Sequence, residues 1–280
     1  MKQMKQLTGK VALVTGGSRG AGRGIAIELG KAGATVYVTG RSTSGNTTNQ
    51  WPGTIDETVS EIEASGGKAS AIRCDHTNDA ETEAAIAQIR REQGKLDIVV
   101  NNVWGAHDLG VEPGAFWELP LKHWDTMFNA GVRAQLATNH FALPLLRENN
   151  QALIVHTTFW DNDKYTGQFY YDLAKNALIR MAYGLSLEVK ADNIAVVAVS
   201  PGFMRTELVL QHFQTDEAHW QEIKELQASE TPYYVGRGIK ALAMDPDVMK
   251  KSGRVVKVGD LAKEYQFTDI DGRYIPPFIL

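Results

Sequence analysis

A tyrosine and a lysine four residues apart carry the first chemical signal in this sequence. Tyr171 and Lys175 stand in the segment YDLAK. Because residues i and i+4 of a helix share one face, the lysine ammonium would lie beside the phenol. A cation within about 4–6 Å favours the phenolate and lowers a pKa that starts near 10 by about 1–3 units. The pair therefore predicts a general acid and base, and the alternative is a packed aromatic beside a surface cation.

A glycine-rich segment near the start of the chain predicts a nucleotide site. Residues 15–22 read TGGSRGAG and lie between a strand-like and a helix-like stretch. Glycines in that position let the backbone approach a pyrophosphate, whose charge the start of a helix favours. The alternative is a plain glycine-rich turn. The residues predicted to bind the cofactor in this turn are Gly16, Ser18, Arg19, Gly20, Ala21 and Gly22.

Arginines rather than acids accompany the glycine turn. An Asp or Glu at the end of the second strand would bind the ribose 2′-hydroxyl of NAD. Arg41 stands there instead, no acid follows before Asp56, and Arg19 lies inside the turn. Two guanidinium groups suit a 2′-phosphate, so NADP(H) is favoured over NAD(H). The alternative is two solvated surface arginines.

Hydrophobic patterning supplies the elements that would position these residues. Apolar or β-branched runs alternate with helical periodicity, which predicts an α/β fold with a doubly wound parallel sheet in a three-layer α/β/α arrangement. No linker or repeat divides the chain, so residues 1–280 are predicted to form a single domain with a tail at about 261–280. The seven predicted strands are 11–15, 35–40, 68–75, 96–102, 152–158, 194–200 and 253–259. The predicted helices are 22–33, 55–65, 78–93, 121–147, 168–190, about 205–229 and 234–244.

Composition excludes several classes of function. The net charge of −4 gives no basic field for nucleic acid. No apolar run approaches the roughly 18 residues that a membrane span needs. The single cysteine, Cys74, fits a reducing compartment, so we expect a cytoplasmic protein without nucleic-acid or membrane partners. His76, His107 and His156 lack metal-ligand spacing, and no metal is expected.

Five motifs resemble the short-chain dehydrogenase/reductase family. They are TGGSRGAG (15–22), CDHT (74–77), NNVW (101–104), YDLAK (171–175) and SPGFMRT (200–206), in the family's order. The resemblance implies a Rossmann-type fold, a nicotinamide cofactor, and a homodimer or homotetramer built on the helices around 121–147 and 168–190.

The resemblance also implies individual roles for residues outside the glycine turn. Lys175 would hold the nicotinamide ribose. Asp75 would lie near the adenine, and Asn102 and Val103 would line the adenosine side. The residues implied to lie around the nicotinamide amide are Pro201, Gly202 and Thr206.

Three positions depart from the family's pattern. Trp104 stands where the family's loop, usually Asn-Asn-Ala-Gly, has its glycine. Thr158 stands where the family has its catalytic serine; its hydroxyl could still donate, although its methyl group restricts the side chain. Gly131 stands where a helix asparagine usually helps to relay protons. We hypothesise that the backbone opens at Gly131 and that a water replaces the amide. The alternative is a tolerated glycine under a neighbour's side chain.

Aromatic residues dominate the loops that would surround the reacting carbonyl. The predicted pocket residues are Trp104, Phe159, Trp160 and Phe203, with Trp117, Tyr165 and Phe169 nearby in sequence. Such a lining favours a flat or apolar substrate. The sequence thus predicts an NADPH-dependent carbonyl reductase that can also act as an alcohol dehydrogenase on small molecules, with Thr158, Tyr171 and Lys175 as catalytic residues. The alternatives are an NADP(H)-binding regulator or structural subunit and, more weakly, an epimerase or dehydratase.

Overall fold

Seven strands form one sheet in the computed structural model, which describes residues 6–106, 109 and 114–280. The strands are β1 (Val11–Thr15), β2 (Thr35–Gly40), β3 (Lys68–Arg73), β4 (Ile98–Asn101), β5 (Ala152–Thr157), β6 (Ile194–Ser200) and β7 (Val255–Lys257). Their order is β3-β2-β1-β4-β5-β6-β7. The pairs β1–β2, β2–β3, β4–β5 and β5–β6 are parallel. The predicted α/β fold is confirmed.

Helices alternate with these strands along the chain. They are α1 (Gly20–Lys31), α2 (Ile55–Ala64), α3 (Asp79–Gln93), α4 (Lys122–Trp124), a π-helical segment (Asp125–Arg133), α5 (Ala134–Leu146), α6 (Phe169–Glu188), α7 (Glu207–His212), α8 (Pro232–Met244) and α9 (Val258–Tyr265). No helix in the described part of the chain is both long and apolar enough to cross a membrane.

Burial explains which stretches became strands. Every residue of β1, β5 and β6 is buried. A strand covered on both faces needs a continuous apolar run, and these three stretches have one. The edge strand β3 is mostly half-buried or exposed, in keeping with its mixed sequence.

The described residues group into two compact units. The first contains residues up to Arg73, Pro201–Asp245 and Lys257–Phe278, and it carries β1 to β3, α1, α2 and α7 to α9. The second contains Cys74–Ser200, Pro246–Val256 and Ile279–Leu280, and it carries β4 to β6, α3 to α6 and the π-helical segment. The glycine turn belongs to the first unit and the Tyr171–Lys175 pair to the second.

The structure differs most from the sequence prediction in the extent of two elements and in the helix type of a third. The helix predicted over about 205–229 is helical only in α7, followed by 3-10 turns at Trp220–Glu222 and Lys224–Leu226. The last strand is limited to β7, because α9 begins directly at Val258. The long helix predicted over 121–147 contains the π-helical segment in its first half. Widened helical turns of this kind recur at functional sites.

Candidate active site

The predicted glycine turn connects β1 to α1 in a backbone conformation that favours glycine. Gly16 has φ +66° and Gly20 has φ +53°, both in the left-handed region. Gly20 is also the first residue of α1, so the turn delivers the chain directly into a helix N-terminus. Such a terminus favours anionic oxygen because its first amides lack partners within the helix.

Arg19 holds the loop after β2 against the glycine turn. Its guanidinium donates to the carbonyl oxygens of Pro52 at 2.8 Å and Gly53 at 2.9 Å, and to the Ser42 hydroxyl at 3.0 Å. Burial lowers the pKa of Arg19, and the neighbouring charge of Arg41 acts in the same direction. The two arginines singled out for cofactor choice are therefore close, but Arg19 also has a loop-holding role that the sequence did not reveal.

The start of α7 meets the start of α1 within the first unit. A Cβ placed on Gly20 would lie 3.4 Å from the Thr206 methyl group, so two predicted cofactor residues are neighbours. The Thr206 hydroxyl caps α7 by accepting the amide of Val209 at 3.3 Å. The Gly20 amide donates to a Glu207 carboxylate oxygen at 2.9 Å. The amide at the start of α1 thus donates a hydrogen bond to a negatively charged oxygen, as a pyrophosphate site requires.

Tyr171 and Lys175 lie one turn apart on α6, as their spacing predicted. The Lys175 Nζ is 5.4 Å from the centre of the Tyr171 ring. The same Nζ is 3.8 Å from the centre of the Trp104 indole, so the ammonium lies nearer the indole than the phenol ring. Trp104 in turn contacts Tyr171 edge-on, with ring centres 5.7 Å apart at 82°.

The expected depression of the tyrosine pKa was wrong for the protein without cofactor. Desolvation, with a smaller contribution from Asp172, raises the pKa of Tyr171 above its ordinary value. Desolvation also lowers the pKa of Lys175 to about 7. Burial therefore acts against both charged forms. The phenol keeps its proton at neutral pH and is ready to donate it.

Thr158 ties the end of β5 to the helix that carries the pair. Its hydroxyl donates to the main-chain carbonyl of Lys175 at 2.7 Å, and its side chain is almost fully buried. The hydroxyl oxygen therefore sits beside α6. Thr157, its neighbour, instead donates to the side-chain oxygen of Asn102 at 3.2 Å.

Comparison with known proteins identifies the family. The family model described as short chain dehydrogenase matches residues 10–217. The chain belongs to this family. Human Dehydrogenase/reductase SDR family member 1 is 32% identical over 281 residues, covering 98% of this chain and 87% of that protein.

Two further relatives extend the comparison. The Hydroxynaphthalene reductase-like protein Arp2 of Metarhizium robertsii is 32% identical over 204 residues, covering 73% of this chain and 72% of that protein. The crystal structure of a short chain dehydrogenase from Mycobacterium thermoresistibile superposes with a TM-score of 0.82 at 26% identity, covering 97% of this chain and 92% of that one. Short-chain dehydrogenases use a nicotinamide cofactor, so oxidoreductase chemistry on small molecules follows from membership.

Gly131, which the resemblance places where the family usually has an asparagine, packs against an indole. A Cβ built on Gly131 would lie 2.5 Å from Cζ3 and 2.6 Å from Cε3 of Trp104. Gly131 is buried in the π-helical segment, so the helix does depart from regular α geometry. The neighbour's side chain, rather than the hypothesised open space for a water, accounts for the glycine.

Other residues implied by the family occupy ordered positions in the second unit. Asp75 accepts hydrogen bonds from the amide of Thr77 at 3.0 Å and from its hydroxyl at 2.7 Å. The carbonyl of Val103 accepts a hydrogen bond from Gln135 at 3.4 Å. Asn102 is held by Thr157, so hydrogen bonds fix two residues within the NNVW motif after β4.

Only part of the predicted aromatic pocket gathers at Tyr171. Phe159 packs on it with ring centres 6.1 Å apart, and Trp104 covers another side. Trp160 turns towards its own loop, where its indole nitrogen donates to Asp163 at 3.0 Å. Phe203 belongs to the first unit and is 38% exposed. Of the additional aromatics, Trp117, Tyr165 and Phe169 are exposed on the surface.

A buried polar chain below this site was missed by the sequence analysis. Asn101 donates to Asn139 at 2.7 Å, and Asn139 donates to the Nε2 of His156 at 3.1 Å. The Nδ1 of His156 donates to Gln135 at 2.8 Å, which reaches the Val103 carbonyl. Burial lowers the pKa of His156 to about 4, so the ring is neutral. The structural role expected for His156 fits this network, whereas His107 lies outside the described residues.

Proposed function

We propose that this short-chain dehydrogenase is an NADP(H)-dependent carbonyl reductase that can also run as an alcohol dehydrogenase. The observation that carries the proposal is the Tyr171–Lys175 pair on α6, with the Thr158 hydroxyl fastened to the same helix at the Lys175 carbonyl. Desolvation raises the pKa of Tyr171, so the phenol is protonated at neutral pH, as a proton donor must be before it reacts.

The chain's own residues supply the acid. NADPH, when bound, would deliver a hydride to the carbonyl carbon. Tyr171 donates its phenolic proton to the carbonyl oxygen, and the Lys175 ammonium stabilises the phenolate that forms. The Thr158 hydroxyl, in the family's serine position, binds the same oxygen after turning from the Lys175 carbonyl. By the family resemblance, Asp75, Asn102 and Val103 would hold the adenosine side, and Pro201, Gly202 and Thr206 would hold the nicotinamide amide.

The preference for NADP(H) rests on the charges beside the glycine turn. Arg41 is exposed, and its charge acts on Arg19. A guanidinium pair binds a 2′-phosphate by charge-assisted hydrogen bonds. The two left-handed glycines of the turn and the helix N-terminus that follows them suit the pyrophosphate of a dinucleotide.

Aromatic contacts favour a flat or apolar carbonyl substrate. Trp104 and Phe159 both face Tyr171, the proposed proton donor. One relative carries the name hydroxynaphthalene reductase-like protein, which is consistent with an aromatic ketone in a pocket of this kind.

Homo-oligomerisation in the cytoplasm completes the proposal. Leu136 on α5 and Leu187 on α6 are 54% and 59% exposed, and Tyr183 on α6 is 43% exposed. A second copy of the chain could cover these apolar side chains on the helices where the resemblance places the interface. The buried free thiol of Cys74 suits a reducing compartment.

Carbonyl-dependent oxidation of NADPH tests the function directly. Aromatic ketones, quinones, dicarbonyls and steroids would be offered to the wild type and to Tyr171→Phe, with NADH in parallel. We expect NADPH-linked turnover that falls by about 100-fold or more in Tyr171→Phe, because the proton donor is lost.

A matched control separates the acid from general damage. Tyr170 is the adjacent tyrosine, is buried, and has Ala174 rather than a lysine four residues later. Tyr170→Phe should retain turnover, and both variants should bind NADPH in a fluorescence titration. Tight NADPH binding without turnover of any carbonyl by the wild type would instead favour the NADP(H)-binding regulator.

A further inference from the structure

The indole of Trp104 lies between a glycine and the ammonium of the proposed catalytic pair. On one side, the ring carbons come within 2.5 and 2.6 Å of the position that a Cβ of Gly131 would occupy. No side chain larger than hydrogen fits at 131 while the indole keeps this place. Trp104 and Gly131 are therefore a matched pair, although they lie 27 positions apart in the sequence.

On the other side, the indole faces Lys175. The 3.8 Å between Nζ and the ring centre is well inside the range of about 6 Å for cation–π attraction, and tryptophan gives the strongest such contact. The edge of the same ring contacts Tyr171. One side chain thus touches both members of the pair.

The contact with the Trp104 indole bears on the charge state of Lys175. Desolvation lowers the pKa of the ammonium, whereas the negative face of an indole stabilises its charged form. Asp172 lies on the same helix and acts on Tyr171. The aromatic neighbours of Tyr171 from the other elements, Trp104 and Phe159, carry no charge.

We propose that Trp104 is a positioning residue of the reaction: packed on Gly131, the residue that replaces the family's usual asparagine, its indole holds the Lys175 ammonium beside Tyr171. This inference rests on the proposed carbonyl reduction. It assigns Trp104 a role beyond that of a pocket wall. It also explains why the two departures from the family pattern, at 104 and 131, occur together.

Titration of Lys175 tests the contact without any turnover. The cofactor-free protein would be labelled with [ε-13C]lysine, and the Lys175 signal would be assigned by its loss in Lys175→Arg. Trp104→Met keeps a long apolar side chain but removes the aromatic face, so the pKa of Lys175 should fall by about half a unit or more. Trp104→Phe keeps an aromatic face and should stay closer to the wild type.

Trp124→Met is the matched control for the loss of a tryptophan. Trp124 precedes the π-helical segment and stacks on Phe128 with ring centres 3.8 Å apart. Its replacement should leave the Lys175 titration unchanged. Equal Lys175 pKa values in the wild type, Trp104→Phe and Trp104→Met would overturn the proposal.

A swap of the pair tests the spatial argument. Gly131→Asn alone places a side chain against the indole and should lower the melting temperature and reduce kcat by about tenfold or more. Trp104→Gly alone should also lose activity. The double variant restores the family's residue types and should recover both stability and kcat relative to Gly131→Asn.

The two proposals fail in different ways. If the wild type reduces no carbonyl, the proposed function fails, but the lysine titration and the melting temperatures of the swap still report on Trp104. If the wild type is active while Gly131→Asn matches it in stability and kcat, the role of Trp104 is refuted and the proposed function stands.

Discussion

At the scale of single residues, the protonation of Lys175 governs the proposed chemistry. Packing around the site lowers its pKa to about 7, while the pKa of Tyr171 is raised. The cofactor-free protein therefore combines a protonated phenol with a lysine that loses its charge close to neutral pH. In the proposed reduction Tyr171 is the proton donor, and the protonation of Lys175 sets the pH range.

We expect kcat/KM for NADPH in carbonyl reduction to fall as the pH rises through about 7. A lysine with a lowered pKa is charged below that value and neutral above it, and only the charged form stabilises the phenolate. Tyr171 stays protonated over the same range and adds no second limb. Steady-state rates measured between about pH 5 and about pH 9 give the profile, and kcat/KM reports groups of the free enzyme.

Lys175→Arg supplies the control for this assignment. An arginine remains charged throughout that range, so the falling limb should disappear whatever the absolute rate. A limb that persists unchanged in Lys175→Arg would belong to another group.

At the scale of elements, the junction between α1 and α7 places a carboxylate at the predicted pyrophosphate site. Glu207 follows the capping residue of α7 and accepts the Gly20 amide at the first residue of α1. Its charge therefore lies where phosphate oxygens are expected. Repulsion between the two should weaken cofactor binding.

Glu207→Gln should bind NADPH about three- to tenfold more tightly than the wild type, because a neutral amide oxygen still accepts the Gly20 amide without repelling phosphate. Fluorescence titration of NADPH measures the change. Glu222→Gln removes the same charge from an exposed position in the same unit and should leave Kd unchanged. Weaker binding by Glu207→Gln would mean that the carboxylate organises the turn instead of competing with phosphate.

The sequence predicted the bounds of those elements that the local residue pattern alone determines. The buried runs of β1, β2 and β6 have the predicted bounds. The stretch around 205–229 has helix-forming residues, yet Arg205 is buried there against Asp271 at 3.1 Å and over the Trp220 ring at 3.9 Å. These tertiary contacts are compatible with a short α7 and 3-10 turns, and propensity could not foresee them.

The candidate site was predictable to the same degree. The i+4 spacing and the glycine turn identified Tyr171, Lys175 and Gly20 without a structure. The contact between Trp104 and Gly131 joins the loop after β4 to the π-helical segment, so no local pattern contains it. The raised pKa of Tyr171 escaped prediction for a related reason: burial is a property of the folded neighbourhood, not of the spacing.

At the scale of the whole molecule, buried ionisable groups on both units make stability depend on pH in opposing directions. Burial lowers the pKa values of His76 and His156 to about 4, and it raises the pKa of Glu230 to about 8. Each of the three side chains is at most 2% exposed. At neutral pH the folded protein therefore keeps both histidines uncharged and Glu230 protonated.

The sign follows from proton binding in the two states. Between pH 6.5 and 4 the unfolded chain binds more protons at each histidine, so their contribution to stability is lost as the pH falls through that window. Between pH 8 and 4.5 the folded chain binds more protons at Glu230, so acidification is stabilising there. As the pH falls from about 7 to about 5, each histidine lowers the free energy of unfolding by about 2 kcal/mol, and Glu230 raises it by a similar amount.

Replacing a buried histidine and replacing Glu230 should therefore change the loss of stability on acidification in opposite directions. His156→Gln should lose about 2 kcal/mol less unfolding free energy than the wild type between about pH 7 and about pH 5, and Glu230→Gln about 2 kcal/mol more. Urea unfolding at both pH values measures each difference, with the pH 7 value serving as each variant's own reference. Because the measured quantity is a change with pH, a constant packing defect in either variant cancels. Parallel pH responses in all three proteins would show that these buried groups titrate alike in the folded and unfolded chain.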